Sequence, residues 1–266
     1  MSCSETHFAS LNLVDYTFPQ IERQVNKSPF LILPVGGIEP VGPSLALGVI
    51  NIVTERFAAA LSEHFSVITA PLVPIGSTIP FKAFGGSAGV HRDFLVNFLM
   101  DCCNCWFFQG FKRIIILSLS MDAMEWGREV AKRFSGENTG VRLMTLQEDE
   151  RFRRLCHVYE NSGASAGRSE WGIAALAAYL CPDSVRVLSP DEDRSSPRSL
   201  PESFRQWHRR GKDPEKMRKL FPDALFSESP GELPDETTGK LLFASTLQLL
   251  IDDVTPFFTV EDNASR

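Results

Sequence analysis

Apolar and polar residues alternate along this chain in two distinct rhythms. Phe30-Leu31-Ile32-Leu33-Pro34-Val35 is a short unbroken apolar run closed by Gly36-Gly37, the pattern of a strand buried on both faces. A helix is expected over residues 49–64, where Ile52, Val53, Phe57, Ala60 and Leu61 recur at helical spacing. Residues 66–70 read as a second strand, ended by Pro71. The rhythm then repeats: a very apolar helix over 91–108, a strand over 113–118, a helix over 122–134, a strand over 141–146 and a helix over 168–180. Gly110 stands where a helix C-cap glycine is expected. A last helix over 236–254 carries Phe243, Leu247, Leu250, Ile251 and Val254 on one stripe.

Strands alternating with helices imply a three-layer α/β/α domain with a mostly parallel sheet, because parallel neighbours need crossover connections. Ligands of such sheets bind beyond the carboxyl ends of the strands. Three segments lie at those ends, residues 36–48, 76–89 and 118–123, and they are expected to converge. Residues 71–89 are rich in Gly, Pro and Ser and too long for an ordinary connector, which marks them as functional or interfacial. Residues 188–235 are rich in Pro, Ser and charge and read as an irregular excursion, and 261–266 as a frayed tail. Residues 1–266 are taken as one domain, with no internal repeat.

Composition narrows the function. A formal charge of −6 disfavours a general nucleic-acid surface, so no nucleic-acid partner is expected. The basic stretch 205–219 reads as a solvated loop and helix. Cys102, Cys103 and Cys105 sit on the apolar helix and point in different directions, so they read as packing residues and not as a soft-metal site. No disulfides are expected among Cys3, Cys102, Cys103, Cys105, Cys156 and Cys181. No run of about eighteen apolar residues is free of charge, so no membrane partner is expected and the cytoplasm is the expected location.

Residues 34–48, 84–87, 110–117, 118–123 and 165–171, taken together, resemble motifs of the creatininase (creatinine amidohydrolase) family. Residues 34–48, Pro-Val-Gly-Gly-Ile-Glu-Pro-Val-Gly-Pro-Ser-Leu-Ala-Leu-Gly, are similar to the family signature P-V-G-S-x-E-Q-H-G-P-H-L-P-L-G-T-D, with Gly36, Gly42, Pro43, Leu47 and Gly48 in register. Phe84-Gly85-Gly86-Ser87 resembles the family's F-P-G-T, and residues 110–117 its G-F-R-R-I-V-I-V strand. Ser118-Leu119-Ser120-Met121-Asp122-Ala123 stands at N-G-H-x-x-N, and residues 165–171 at H-A-G-x-x-E-T. The resemblance spans about residues 11–254.

The family implies two metal ions and amide hydrolysis, and the departures fall on that chemistry. Of the implied ligands, Glu39 and Asp122 are kept. Val41 and Ser120 replace histidines, Ile50 replaces the bridging aspartate, and Ser165 replaces a catalytic histidine. Valine and isoleucine cannot ligate a metal. His91, at a helix start, reads as a cap. What remains is a pocket of Glu39, Ser44, Ser120, Asp122, Arg168 and Glu170. Carboxylates gathered there without a cation repel, so Arg168 is expected to neutralise them, unless one stays protonated. No cofactor is expected. The alternative is a single divalent cation (Mg²⁺, Ca²⁺ or Zn²⁺) on Glu39, Asp122 and Glu170. A further alternative is a metal-free nucleophile at Ser44, Ser118 or Ser120.

The functional expectation is therefore a non-catalytic binding or assembly subunit taking a small polar ligand. Its alternative is an active amidohydrolase of altered ligation, cleaving a cyclic amide or a formamide. The resemblance also implies a homo-oligomer, with a hexamer as the family form, and the apolar helix 91–108 has a face suited to burial.

Overall fold

In a computed structural model the described residues are 11–77, 81–134, 140–146, 149–160, 169–186, 213–221, 224 and 234–259. Five parallel strands form one sheet: β1 (Leu11–Asn12), β2 (Phe30–Pro34), β3 (Ile68–Thr69), β4 (Arg113–Leu117) and β5 (Gly140–Met144), in the order β1-β3-β2-β4-β5. The helices are α1 (Phe18–Lys27), α2 (Val49–Phe65), α3 (Arg92–Phe108), α4 (Ala123–Arg133), α5 (Glu150–Glu160), α6 (Ser169–Leu180), α7 (Pro214–Leu220) and α8 (Glu236–Thr259).

The period of two along the central strands builds both cores. Leu31, Leu33, Ile114 and Ile116 point to the face covered by Val25 of α1, Leu95, Val96 and Leu99 of α3, and Trp126 and Val130 of α4. Ile32, Ile115 and Leu117 point to the other face, which is packed by α2, α5, α6 and α8. Both faces of the sheet are buried, which is why β2 and residues 114–117 of β4 are apolar without interruption.

On the second face the helices pack closely through glycine. A Cβ on Gly239 of α8 would lie 2.0 Å from the Ala175 carbonyl of α6, and one on Gly172 would lie 2.4 Å from Cys156 Sγ of α5. By length and composition α8 is apolar enough to cross a membrane. Its apolar residues Leu242, Phe243, Leu250, Val254 and Phe258 are instead buried in the core against α6. Arg113 and Arg142, from β4 and β5, donate to the Phe257 and Asp253 carbonyls near its end, so α8 runs past the expected stop at 254.

Four elements escape the apolar pattern. β1 is a two-residue edge strand whose Leu11 N–H donates to Ser62 Oγ at 3.0 Å. α1 buries only Val25, and its first turn is set by Pro19 and by the Gln20 side chain, which accepts the Thr17 N–H at 2.8 Å. α5 buries Phe152 and Cys156 within an otherwise charged sequence. α7 falls inside the stretch expected to be irregular. Asp213 caps it by accepting the Glu215 N–H at 3.0 Å, and Met217 and Phe221 are buried beside it. Lys216, Arg218 and Lys219 are exposed, as expected for the part of the basic stretch that is described. Among the cysteines Cys103 packs in the core, whereas Cys105 is exposed on the outer face of α3.

Candidate functional site

The three segments at the strand ends do converge. Val35 and Gly36 continue β2 by donating to the Leu117 and Val73 carbonyls at 2.8 and 2.9 Å. A glycine at position 36 is required by a side chain. Asn51 on α2 accepts the Gly37 N–H at 2.9 Å and donates to the Pro74 carbonyl at 3.1 Å, so close that a Cβ on Gly36 would lie 1.8 Å from Asn51 Oδ1. Ile38 then pairs antiparallel with Ala88, which ties residues 36–38 to the long loop. A Cβ on Gly76, in the same loop, would meet the Gly36 carbonyl at 2.7 Å and Ser120 Oγ at 3.6 Å.

At this junction Glu39 is buried, with 1% of its surface exposed. Its Oε1 accepts the Met121 N–H at 3.0 Å, and its Oε2 lies 2.9 Å from Ser120 Oγ. The same Ser120 oxygen lies 3.0 Å from Asp122 Oδ1, which also accepts from Trp126 Nε1 at 3.3 Å. A hydroxyl has one proton to donate, so it cannot satisfy two ionised carboxylates at once. A second proton must sit on the Glu39–Ser120–Asp122 chain. Glu39 is the group that holds it: burial, then the Asp122 charge, push its carboxyl from 4.5 up to about 8 against the two hydrogen bonds. The Ser120 hydroxyl thus lies between the two carboxyl groups, within hydrogen-bond distance of both.

The other sequence candidates divide. Ser118 is fully buried and its Oγ accepts the Ser120 N–H at 3.3 Å, so it shapes the turn and is not an exposed nucleophile. Ser44 is held through its carbonyl, which accepts the Arg186 N–H at 2.7 Å, and its neighbour Leu45 pairs with Val185. Glu170 is buried on the first turn of α6, yet the charge bearing on Glu39 is that of Asp122. Among the described residues no three His, Cys, Asp or Glu side chains gather into a group that could hold a metal ion, so the expected trio of Glu39, Asp122 and Glu170 does not form one. Arg168 and Ser165 lie outside the described residues. His91 caps α3 as expected, its Nδ1 accepting the Asp93 N–H at 3.3 Å.

Sequence reasoning misses Trp126 and Asn51. Trp126 was legible in principle, since it lies four residues after Asp122 at the start of a helix and so on the same face. Asn51 gives no such signal, because its partners are backbone groups brought in by other segments.

The donor set does not fit a pair of transition-metal ions. Val41 and Ile50, at positions where the resemblance implies ligands, are buried in one continuous apolar cluster. Ser120, at a histidine position, spends its hydroxyl on the two carboxylates.

Comparison with known proteins agrees with the architecture. No match is found among curated proteins. Among solved structures, a creatinine amidohydrolase (creatininase) superposes with a TM-score of 0.74 at 16% identity, covering 95% of this chain and 100% of that one. A manganese form of creatininase gives 0.70 at 15% identity over 94% and 99%. A putative creatinine amidohydrolase from Bacteroides fragilis gives 0.64 at 13% identity over 95% and 98%. These likenesses establish the fold. The family model for creatininase, described as creatinine amidohydrolase, matches residues 14–254. With that match over nearly its whole length, the chain belongs to the creatininase family.

Proposed function

We propose that this chain is a creatininase-family protein that has lost metal-dependent amide hydrolysis and works as a non-catalytic binding or assembly subunit. One observation carries the reading: the Ser120 hydroxyl bridges Glu39 and Asp122 directly, at 2.9 and 3.0 Å. Two carboxylates that face a metal ion need to be ionised and turned toward it. Here both are turned toward a serine, whose hydroxyl takes the place between them. The apolar packing of Val41 and Ile50 supports the same reading, because side chains without lone pairs leave no second ligand set.

A neutral carboxyl, a serine hydroxyl and one ionised carboxylate suit a small polar ligand that brings hydrogen-bond donors. Half-buried Asp122 is the member nearest solvent. The assembly part of the reading rests on α3, where Phe94, Phe98 and Phe108 are 62%, 41% and 94% exposed along the outer face. Aromatic rings left in water along one helix suit burial against other copies of the chain.

Thermal denaturation in the presence of Zn²⁺ or Mn²⁺ tests the loss of the metal site. A site occupied in the folded state alone would raise Tm in proportion to the logarithm of metal concentration. The expected result is no such logarithmic rise with either ion. A logarithmic rise, with one or two ions bound per chain by metal analysis, would overturn the proposal.

A further inference from the structure

The outward side of α3 carries a spacing of its own. Phe94, Phe98, Asp101, Cys105 and Phe108 follow one another at intervals alternating between four and three residues, and all five are exposed. That alternation is the seam of paired helices, since a second helix laid alongside meets such a row along its whole length. The inward face of α3 uses a different set, Leu95, Val96, Leu99 and Cys103, all buried in the core. The seam is therefore additional to what the fold of one chain needs.

Charge and area point the same way. Between Phe94 and Phe108 the exposed residues are Asn97, Phe98, Asp101, Asn104 and Cys105, and Asp101 alone among them is charged. The neighbouring helix α4 shows what a solvated face looks like, with Arg128, Lys132 and Arg133 exposed. Interface centres have the opposite composition, poor in charge and rich in aromatic rings. Phe94, Phe98 and Phe108 are 62%, 41% and 94% exposed. At about 150–250 Å² for a whole aromatic side chain, they leave roughly 300–500 Å² in water. That is around half of the ~800 Å² that each partner buries in a stable interface, before the residues between the rings are added.

Among the described residues no other helix exposes more than one large apolar side chain, so the surface that matches this seam is the seam itself. We propose that α3 packs antiparallel against α3 of a second copy of the chain, across a two-fold axis at Asp101. The proposal rests on the assembly reading above and names its partner surface. A surface that pairs with itself is closed by a two-fold axis. The antiparallel sense sets the start of each helix beside the end of the other, where their dipoles attract. It also brings Phe94 against Phe108 of the second copy at both ends of the seam, and Phe98 against Cys105 of the second copy. The two Asp101 carboxylates then face each other, and theirs is the layer that opposes the contact.

Sedimentation velocity of the full chain over a concentration series measures the contact. The wild type is expected to associate reversibly in the micromolar range. Phe98→Glu should weaken association at least about tenfold, because it brings a charge into the seam. Phe98 is partly packed, so Phe108→Glu, at a position almost wholly in water, repeats the test without disturbing the fold. Asp101→Asn should strengthen association at least about threefold by removing the facing charges. The direction of pairing is read by mixing Phe94→Cys with Phe108→Cys, each also carrying Cys105→Ser, and oxidising with copper phenanthroline. A disulfide between positions 94 and 108 of two chains, mapped by peptide mass, is expected. Disulfides that join 94 to 94 or 108 to 108 would overturn the antiparallel contact, as would unchanged association in Asp101→Asn. A wild type that stays monomeric would overturn both this contact and the assembly reading. Association left intact by Phe98→Glu and Phe108→Glu would overturn this contact alone and place assembly on another face.

Discussion

Burial, and after it the charge of Asp122, makes Glu39 pH-sensitive. Its carboxyl is raised from 4.5 to about 8, mainly by burial. Below about 4.5 the folded and unfolded chains both hold this proton. Between about 4.5 and about 8 the folded chain keeps a proton that the unfolded chain has released, so stability falls as pH rises through that window and levels off above it. The size of the loss is of the order of a few kcal/mol. Glu39→Gln mimics the neutral acid and should remove this component, which urea unfolding at pH 5, 6.5 and 8.5 would measure. Parallel curves for the variant and the wild type would show that Glu39 is not the group responsible. Ser120→Ala takes away the hydroxyl between the two carboxyl groups, and should cost about 1–3 kcal/mol near neutral pH. An unchanged urea midpoint would mean that the hydroxyl does not bridge the carboxylates.

At the scale of elements, close helix packing sets the sharpest steric limits. Gly239→Ala would drive a methyl into the Ala175 carbonyl and separate α8 from α6, with an expected loss of about 1–3 kcal/mol or more. Gly85→Ala is the control, since a Cβ there meets nothing within 4 Å, and it should stay within about 0.5 kcal/mol of the wild type. Equal denaturation midpoints for the two variants would contradict the close crossing. Elements with a continuous or periodic apolar signal were legible from sequence: β2, β4, α2, α3 and α8 fall within a few residues of their expected bounds. So was Gly110, which lies beyond the end of α3 at a φ of 99°. β1, α1, α5 and α7 were not, because each is short or buries only a few side chains in a charged sequence. The site was legible in part for a related reason. Glu39, Ser120 and Asp122 lie in motifs at strand ends, where topology forces them together. Glu170 lies on a helix that a separate stretch of the chain supplies, and among the described residues it joins no group able to hold a metal ion.

For the molecule as a whole, a sheet buried on two faces accounts for the apolar strands. The exposed aromatic residues of α3 leave a face that the monomer does not use. If that face joins copies of the chain, light scattering coupled to size exclusion should give an oligomer for the wild type and a smaller species for Phe94→Glu combined with Phe108→Glu. Identical masses would remove α3 from the assembly. The central claim concerns chemistry, and the most direct measurement is turnover together with metal content. Protein purified without chelator is analysed for bound metal and assayed on a cyclic amide and a formamide, with and without added Zn²⁺ or Mn²⁺. The expected result is substoichiometric metal and no metal-dependent cleavage. Stoichiometric zinc or manganese accompanied by metal-dependent amide hydrolysis would contradict it.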